Sequence, residues 1–492
     1  MPTQLMTDGI VQILIFVALT LLIAVATFWK VRHSRPTHDG SGKDVFLAGG
    51  GLSWLFVAGS ITLTNLSTDQ LVGMNGNQML LLAWWEIAGF FGLLILAYVF
   101  VPLYYRNRCT TVTELLERRY GGTSIRTLIS GLFLFGNIVI YLPAALYSGG
   151  LFMQSLFGGT TSVMLFATGL ALISAAYTML GGLRAVAVMD TFSGIGVLGL
   201  ALLIVFLSLA AVDFDIVSEV PVERLTMIGG DDSPIPWHTL LTGMLFIQTF
   251  YWSTNQNITQ KAMAAPTVEE ARKGVLAAAA IRILIVPPIV VIPGVVAYKL
   301  FGDVGDAAYG KLVAEVLPSW LSGAFAAMVA AAVITTFSAV LNSTVALYSV
   351  DFHDKFIGKV TNHWRLGTVV SMVVTIIAIL LVPVFQNADS IINLLQQLNG
   401  LFSMPILSAF IVGLLFRNVG AWAAIFGVAW GFGVYALYTF VWQPSGLITL
   451  HYIHFMVIVL VSSVIAALVF NRVALSRRAE YIGFRDLRAP AT

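Results

Sequence analysis

The sequence predicts an all-α polytopic membrane protein with thirteen transmembrane helices, its N-terminus outside and its C-terminus inside. Three observations carry this. The chain of 492 residues is 58% hydrophobic and only 10% charged, where a soluble domain carries about 25% charged residues. Apolar segments long enough to cross a ~30 Å hydrocarbon core recur along the whole length with short polar breaks. Lysine and arginine then fall on alternate breaks, as the excess of basic residues in cytoplasmic loops requires.

The first apolar segment, near 8–29, has a cleavage-like Ala24-Val25-Ala26. The residues before it carry no positive charge and end in Asp8, the wrong start for a signal peptide, so it reads as a retained helix. Spans follow near 52–75, 79–104, 125–152, 160–180, 187–211, 236–262, 274–299, 318–350, 366–386, 391–416, 418–443 and 448–471. With the N-terminus outside, only Arg224, Lys299 and Lys311 face outward and Arg282 lies within a span; every other lysine and arginine falls inside. The largest outer loop, 212–235, is acidic. The loops near 30–47, 105–124 and 472–492 stand clear on the inside.

Several function classes drop out. A net charge of +2 offers no field for nucleic acid. A lone cysteine, Cys109, excludes an internal disulfide. The seven histidines show no pairing at helical spacing, and His353 and His363 fall in a loop. There is no metal-ligand cluster, nucleophile elbow, phosphate loop or signalling domain. A membrane enzyme, a channel or a sensor is therefore disfavoured.

Polarity inside spans is the next signal, because ionisable groups there cost several kcal/mol and mark function by default. Asp69, Glu86, Asp190 and Arg282 are the candidates. Snorkelling is strained for Arg282, which lies nine residues past Lys273, about 13 Å into the membrane. Glu86 and Arg282 can satisfy one another, or a polar ligand can lie between them. The stretch LTNLSTDQLVGMNG, 63–76, sets Thr64, Asn65, Ser67, Thr68, Asp69 and Gln70 nearly back to back in an apolar span and adds two glycines. Such residues favour turns over helix, and non-helical backbone at membrane depth survives only where it lines a cavity or is buried in protein. The stretch reads as a broken helix. A second break lies in YWSTNQNITQ, 251–260, five spans later. Matching interruptions in two halves point to inverted repeats, here 52–235 and 236–417, preceded by an extra helix and loop (1–51) and followed by two helices and a tail (418–492). A third polar cluster, AAAVITTFSAVLNST at 330–344, holds Thr335 and Thr336. Taken alone, these threonines could equally bond back to carbonyls of their own helix.

The segments DVFLAGGGLSW, LTNLSTDQLVGM, YWSTNQNITQKAMAAPTVEEARKG and AAAVITTFSAVLNST, in this order and in these spans, resemble the sodium/solute symporters, and within them the sodium/sugar branch. The resemblance covers nearly the whole chain. It implies a LeuT-type five-plus-five inverted repeat, no enzyme activity, and import of a sugar driven by Na+ through alternating access. It places a sodium site on the carbonyls of Leu63, Leu66 and Ala332 and the hydroxyls of Thr335 and Thr336. Five neutral oxygens suit a hard cation that is released each cycle. It places sugar contacts on Gln70, Glu86, Gln248, Tyr251, Arg282 and Gln396, gates on Met74, Trp85, Tyr251 and Ile392, and a sodium exit path at Asp190. The partners implied are a small sugar-like solute, sodium and a lipid bilayer, in a bacterial cytoplasmic (inner) membrane. The chain departs from the branch's galactose carriers, which have lysine at Arg282, asparagine at Gln248, serine at Gly89 and phenylalanine at Ile392. Arginine's planar fork suits carboxylate or sulfonate, so an acidic or sulfonated sugar is the alternative to a neutral monosaccharide.

Overall fold

The computed structural model describes residues 11–22, 25, 50–157, 161–359, 362–386, 388 and 390–483, without the side chains of 63, 64, 180–188, 190–193 and 319. The inner loop expected at 30–47 lies outside the described residues, and so do residues 484–492 of the expected C-terminal tail.

Helix α1 (Val11–Leu22) occupies the first expected span. The second span is broken as anticipated. Helix α2 (Trp54–Asn65) ends where Leu66 leaves helical geometry (ψ 56°) and Ser67 is extended; α3 (Thr68–Gly76) then begins. Helices α4 (Leu80–Arg106) and α6 (Thr123–Leu156) follow, with the amphipathic α5 (Val112–Tyr120) between them. The second interruption separates α8 (Gly243–Ser253) from α9 (Gln256–Met263), with Thr254 and Asn255 outside helical geometry. Further helices are α10 (Val268–Leu284), α11 (Val286–Phe301), α12 (Ala308–Val316), α13 (Ser319–Leu347), α14 (His363–Phe385), α15 (Ile391–Leu415), α16 (Ala421–Leu437) and α17 (Tyr452–Val473). Among the described residues nine helices are long and apolar enough to cross a membrane. The shorter apolar helices and the two interrupted pairs occupy the remaining expected stretches.

Three expectations are corrected. The spans expected at 160–180 and 187–211 are one uninterrupted helix, α7 (Val163–Ala211, 49 residues). Gly181 and Gly182, which fall in the expected break, stay helical: a helical glycine costs only about 1 kcal/mol, and no proline stops the helix. Conversely, the span expected at 274–299 is interrupted at Ile285 (φ −110°), between α10 and α11. Pro287 and Pro288 follow at once, at the first helical positions that tolerate proline. The all-α reading also misses a two-residue strand pair, Phe416–Arg417 with Glu480–Tyr481.

Helix α13 runs through the centre, its apolar stretch 89% buried. It packs against α2, α6, α7 and α14. Gly149 on α6 permits one such approach, since a Cβ there would lie 2.7 Å from Val333. Asp351 and Arg126 form a buried pair missing from the expected set of buried charges. Asp351 accepts from Arg126 Nε at 2.7 Å and from Thr111 at 3.2 Å. Asp351 sits past the end of α13, where the sequence reads as loop.

Candidate functional site

Both broken helices, together with α4, α6, α10 and α15, wall a cavity of mixed polar and apolar lining. Asp69 and Gln70 lie in the first turn of α3, immediately after the break. The Ser67 hydroxyl donates to the Asp69 carboxylate. Glu86 on α4 is fully buried. It accepts from Gln70 Nε2 at 2.6 Å and pairs with the Arg282 guanidinium. Arg282, in the last turn of α10, is itself 1% exposed, with its guanidinium 4.5 Å over the Trp252 ring. The Asn65 amide completes this cluster. Its hydrogen-bonding surroundings turn its oxygen toward Arg282 Nη1 (2.9 Å) and Gln70 Nε2 (3.2 Å), and its nitrogen toward the Tyr251 hydroxyl (2.6 Å).

The structure therefore brings Gln70, Glu86, Tyr251 and Arg282 together as the sequence anticipated, with two qualifications. Glu86 sits behind the wall that Gln70 and Arg282 present. Gln248 lines the cavity, but its amide is engaged by protein: Nε2 donates to the Trp85 carbonyl at 3.0 Å, and Oε1 accepts from Trp252 Nε1 at 2.9 Å. The departure at Gly89 also has a reason. A Cβ there would lie 3.0 Å from Trp252 Nε1 and 3.3 Å from Arg282 Cδ, so glycine makes room for the bulkier cation. Gln396 on α15 accepts from Asn399 Nδ2 at 3.2 Å, and Asn399 in turn accepts from the Tyr141 hydroxyl. Trp85 and Ile392 reach the cavity; Met74 is buried and does not line it.

Asn65, Tyr141, Trp252 and Asn399 were missed as site residues. Asn65 was legible within the polar break, and Asn399 stands three residues after Gln396 on the same helix face. Tyr141 closes a π turn in α6 (Asn137–Tyr141), which the sequence pattern does not disclose.

For sodium, α2 runs through Leu63 to Asn65 and unwinds at Leu66, and α2 packs against α13. Ala332, Thr335 and Thr336 on α13 are buried. Thr335 donates to the Ala332 carbonyl at 3.1 Å, the local back-bond anticipated, which leaves hydroxyl lone pairs to face an ion. Neutral carbonyl and hydroxyl oxygens are the donor type that suits a hard monovalent cation. Asp190 lies on α7, with its side chain outside the described residues.

Asp306 accepts from the Ile391 amide at 2.9 Å, capping α15 next to Ile392. Burial pushes its carboxyl up to about 6 despite that hydrogen bond, against ~3.9 in an unfolded chain. The folded protein thus holds this proton more tightly. Stability is expected to fall as pH rises from about 4 to 6, by up to about 3 kcal/mol. Asp306→Asn should abolish this part of the dependence in thermal unfolding at pH 4.5 and 7; an unchanged profile would refute the assignment.

Histidine pairing needs correction too. His451 caps α17 and His454 lies three residues on, and His454 stacks on His238 with ring centroids 4.6 Å apart. His451 accepts the Ile453 amide and His454 contacts the Thr242 hydroxyl. These side chains stitch the segment at His238–Thr242 to α17. No metal-binding group of three or more occurs among the described residues.

The sodium:solute symporter family model matches residues 45–431. An uncharacterized symporter, YidK, of Escherichia coli K12 is 36% identical over 87% of this chain and 78% of that protein. A sodium/glucose cotransporter of Vibrio parahaemolyticus is 29% identical over 85% of this chain and 83% of its own. A sodium/myo-inositol cotransporter 2 of Oryctolagus cuniculus is 27% identical over 93% and 75%. The solved structure of a Na+-coupled sialic acid symporter superposes over 96% of this chain and 99% of that one, with a TM-score of 0.80 at 17% identity, which is a likeness of fold. With two broken helices around a polar cavity and a family match over most of its length, the chain is a member of the sodium:solute symporter family.

Proposed function

We propose that the chain is a sodium-coupled importer of a neutral monosaccharide or polyol in a bacterial cytoplasmic membrane. It would work by alternating access about the two broken helices. The observation that carries the neutral reading is the closed Glu86–Arg282 pair. The guanidinium charge is already compensated, and Asp69 adds an acid to the cavity wall. An anionic solute would have to compete with Glu86 for a guanidinium whose charge is already met. A hydroxylated neutral solute has partners ready. Gln70 Oε1 is a buried acceptor with no partner among the described residues, and the indole of Trp85 and side chain of Ile392 offer apolar cover. The sodium/glucose and sodium/myo-inositol relatives support the same substrate class. An acidic sugar remains the second reading, supported by the arginine fork alone.

In this mechanism Leu63, Leu66, Ala332, Thr335 and Thr336 hold the ion, and Gln70, Arg282, Tyr251, Gln248 and Gln396 hold the solute, with Glu86 fixing Gln70 and Arg282. The ion side and the solute side share the α2–α3 break. Ordering that break for one ligand prepares it for the other, and the coupling is reciprocal.

The test is uptake into proteoliposomes under an imposed sodium gradient, with neutral and acidic sugars in parallel. Uptake of acidic sugars alone would replace the neutral reading. Arg282→Lys keeps the charge and loses the bidentate fork. It should shift sugar preference more than sodium dependence. An anionic substrate should lose about tenfold or more in affinity; a neutral one should lose less.

A further inference from the structure

Pro293 lies inside α11. A helical proline has no N–H, so the carbonyl four residues earlier loses its donor. That carbonyl belongs to Ile289, and it is not left bare. Asn75, near the end of α3, donates to it from Nδ2 at 3.2 Å. The next amide, Gly294 N, donates to Asn75 Oδ1 at 2.7 Å. The second Nδ2 hydrogen goes to the Leu71 carbonyl of α3 itself, at 2.8 Å. One fully buried amide thus bridges a gap in one helix while rooted in another. The two backbones touch here: a Cβ on Gly294 would lie 2.9 Å from Asn75 Cα. A second buried amide repeats the tie one turn outward. Gln78, held at φ 52°, donates to the Gly302 carbonyl at 2.9 Å and accepts from Val304 N at 3.2 Å.

Helix α3 carries Gln70, and α11 follows the interruption immediately after Arg282. We propose that Asn75 is a positioning residue that splices the proline gap of α11 and thereby fastens α3, so that the outer halves of these two interrupted segments act as one body and set Gln70 against Arg282. For its bearing on substrate, the inference rests on the proposed neutral-solute site; the splice itself does not. An asparagine that merely patched a helix would be dispensable once the helix had its own donor. A fastener would not be.

Pro293→Ala makes that separation, because alanine restores the N–H to Ile289 and lets α11 close its own ladder. The readout is amide exchange by mass spectrometry on the full chain in nanodiscs, with Asn75→Ala, Pro293→Ala and the double variant. Asn75→Ala should speed exchange at Gly294 and along α3 by about tenfold or more. In the double variant, α11 should return to slow exchange while α3 stays fast. The comparison of Asn75→Ala/Pro293→Ala with Pro293→Ala alone keeps the test decisive if Asn75→Ala fails to fold. Slow exchange of both helices in the double variant would reduce Asn75 to a patch and overturn the proposal; so would wild-type exchange in Asn75→Ala. Uptake of D-glucose and myo-inositol by the double variant should show half-saturation raised about fivefold or more relative to Pro293→Ala, from loss of aligned contacts at Gln70. If the wild type carries neither sugar, the functional reading fails, and the exchange result still decides the splice.

Discussion

Glu86→Gln is expected to abolish sodium-driven uptake and to lower the thermal stability of the protein. The carboxylate is fully buried, pairs with Arg282 and accepts from Gln70. Glutamine keeps the shape but leaves a buried guanidinium without its counter-charge, at a cost of about 3–5 kcal/mol. Loss of uptake alone would therefore be ambiguous. The double variant Glu86→Gln/Arg282→Met removes both charges and should regain most of the stability while remaining inactive. Unfolding temperature in detergent and uptake in proteoliposomes, measured on the same three proteins, separate the two effects. Wild-type uptake by either variant would show that the polar cluster is not the solute site. Gln70→Ala leaves the ion pair intact and should impair uptake with little loss of stability, because it removes a wall residue and only one partner of the carboxylate.

Thr335→Ala and Thr336→Ala are expected to raise the sodium concentration for half-maximal uptake by about five- to hundredfold, from a loss of about 1–3 kcal/mol per oxygen ligand. Both side chains are buried on the central helix that packs against α2. Thr336→Ser keeps the oxygen and should be mild. For Thr335 the local bond to Ala332 offers a competing role, but loss of a back-bond would weaken the helix without moving the sodium dependence. Sodium titration at saturating solute distinguishes these outcomes. If both alanine variants titrate as wild type, the ion binds elsewhere.

The sequence by itself determined the membrane class, most helix positions and both interruptions. Hydrocarbon imposes long apolar runs and makes polar stretches such as 63–76 and 251–260 conspicuous. It also supplied the residues of the polar cluster, because Glu86 and Arg282 stand out against an apolar background for the same energetic reason. Tertiary structure decided what periodicity and composition do not encode. The pairing of Glu86 with Arg282 rather than with solute depends on two helices far apart in sequence, and that contact turns an anion-suited fork into a compensated wall. The engagement of Gln248 by Trp85 and Trp252, and the space left by Gly89, are likewise contacts between segments. The continuity of α7 through Gly181 and Gly182 was hidden because glycine only lowers helix propensity, and helix-forming neighbours override it. The Pro287-Pro288 interruption and the Pro293 gap were visible as prolines. That Asn75, more than two hundred residues away, completes the second of them could emerge only once the chain had folded, because an orphaned carbonyl accepts from whichever buried donor the packing brings within reach.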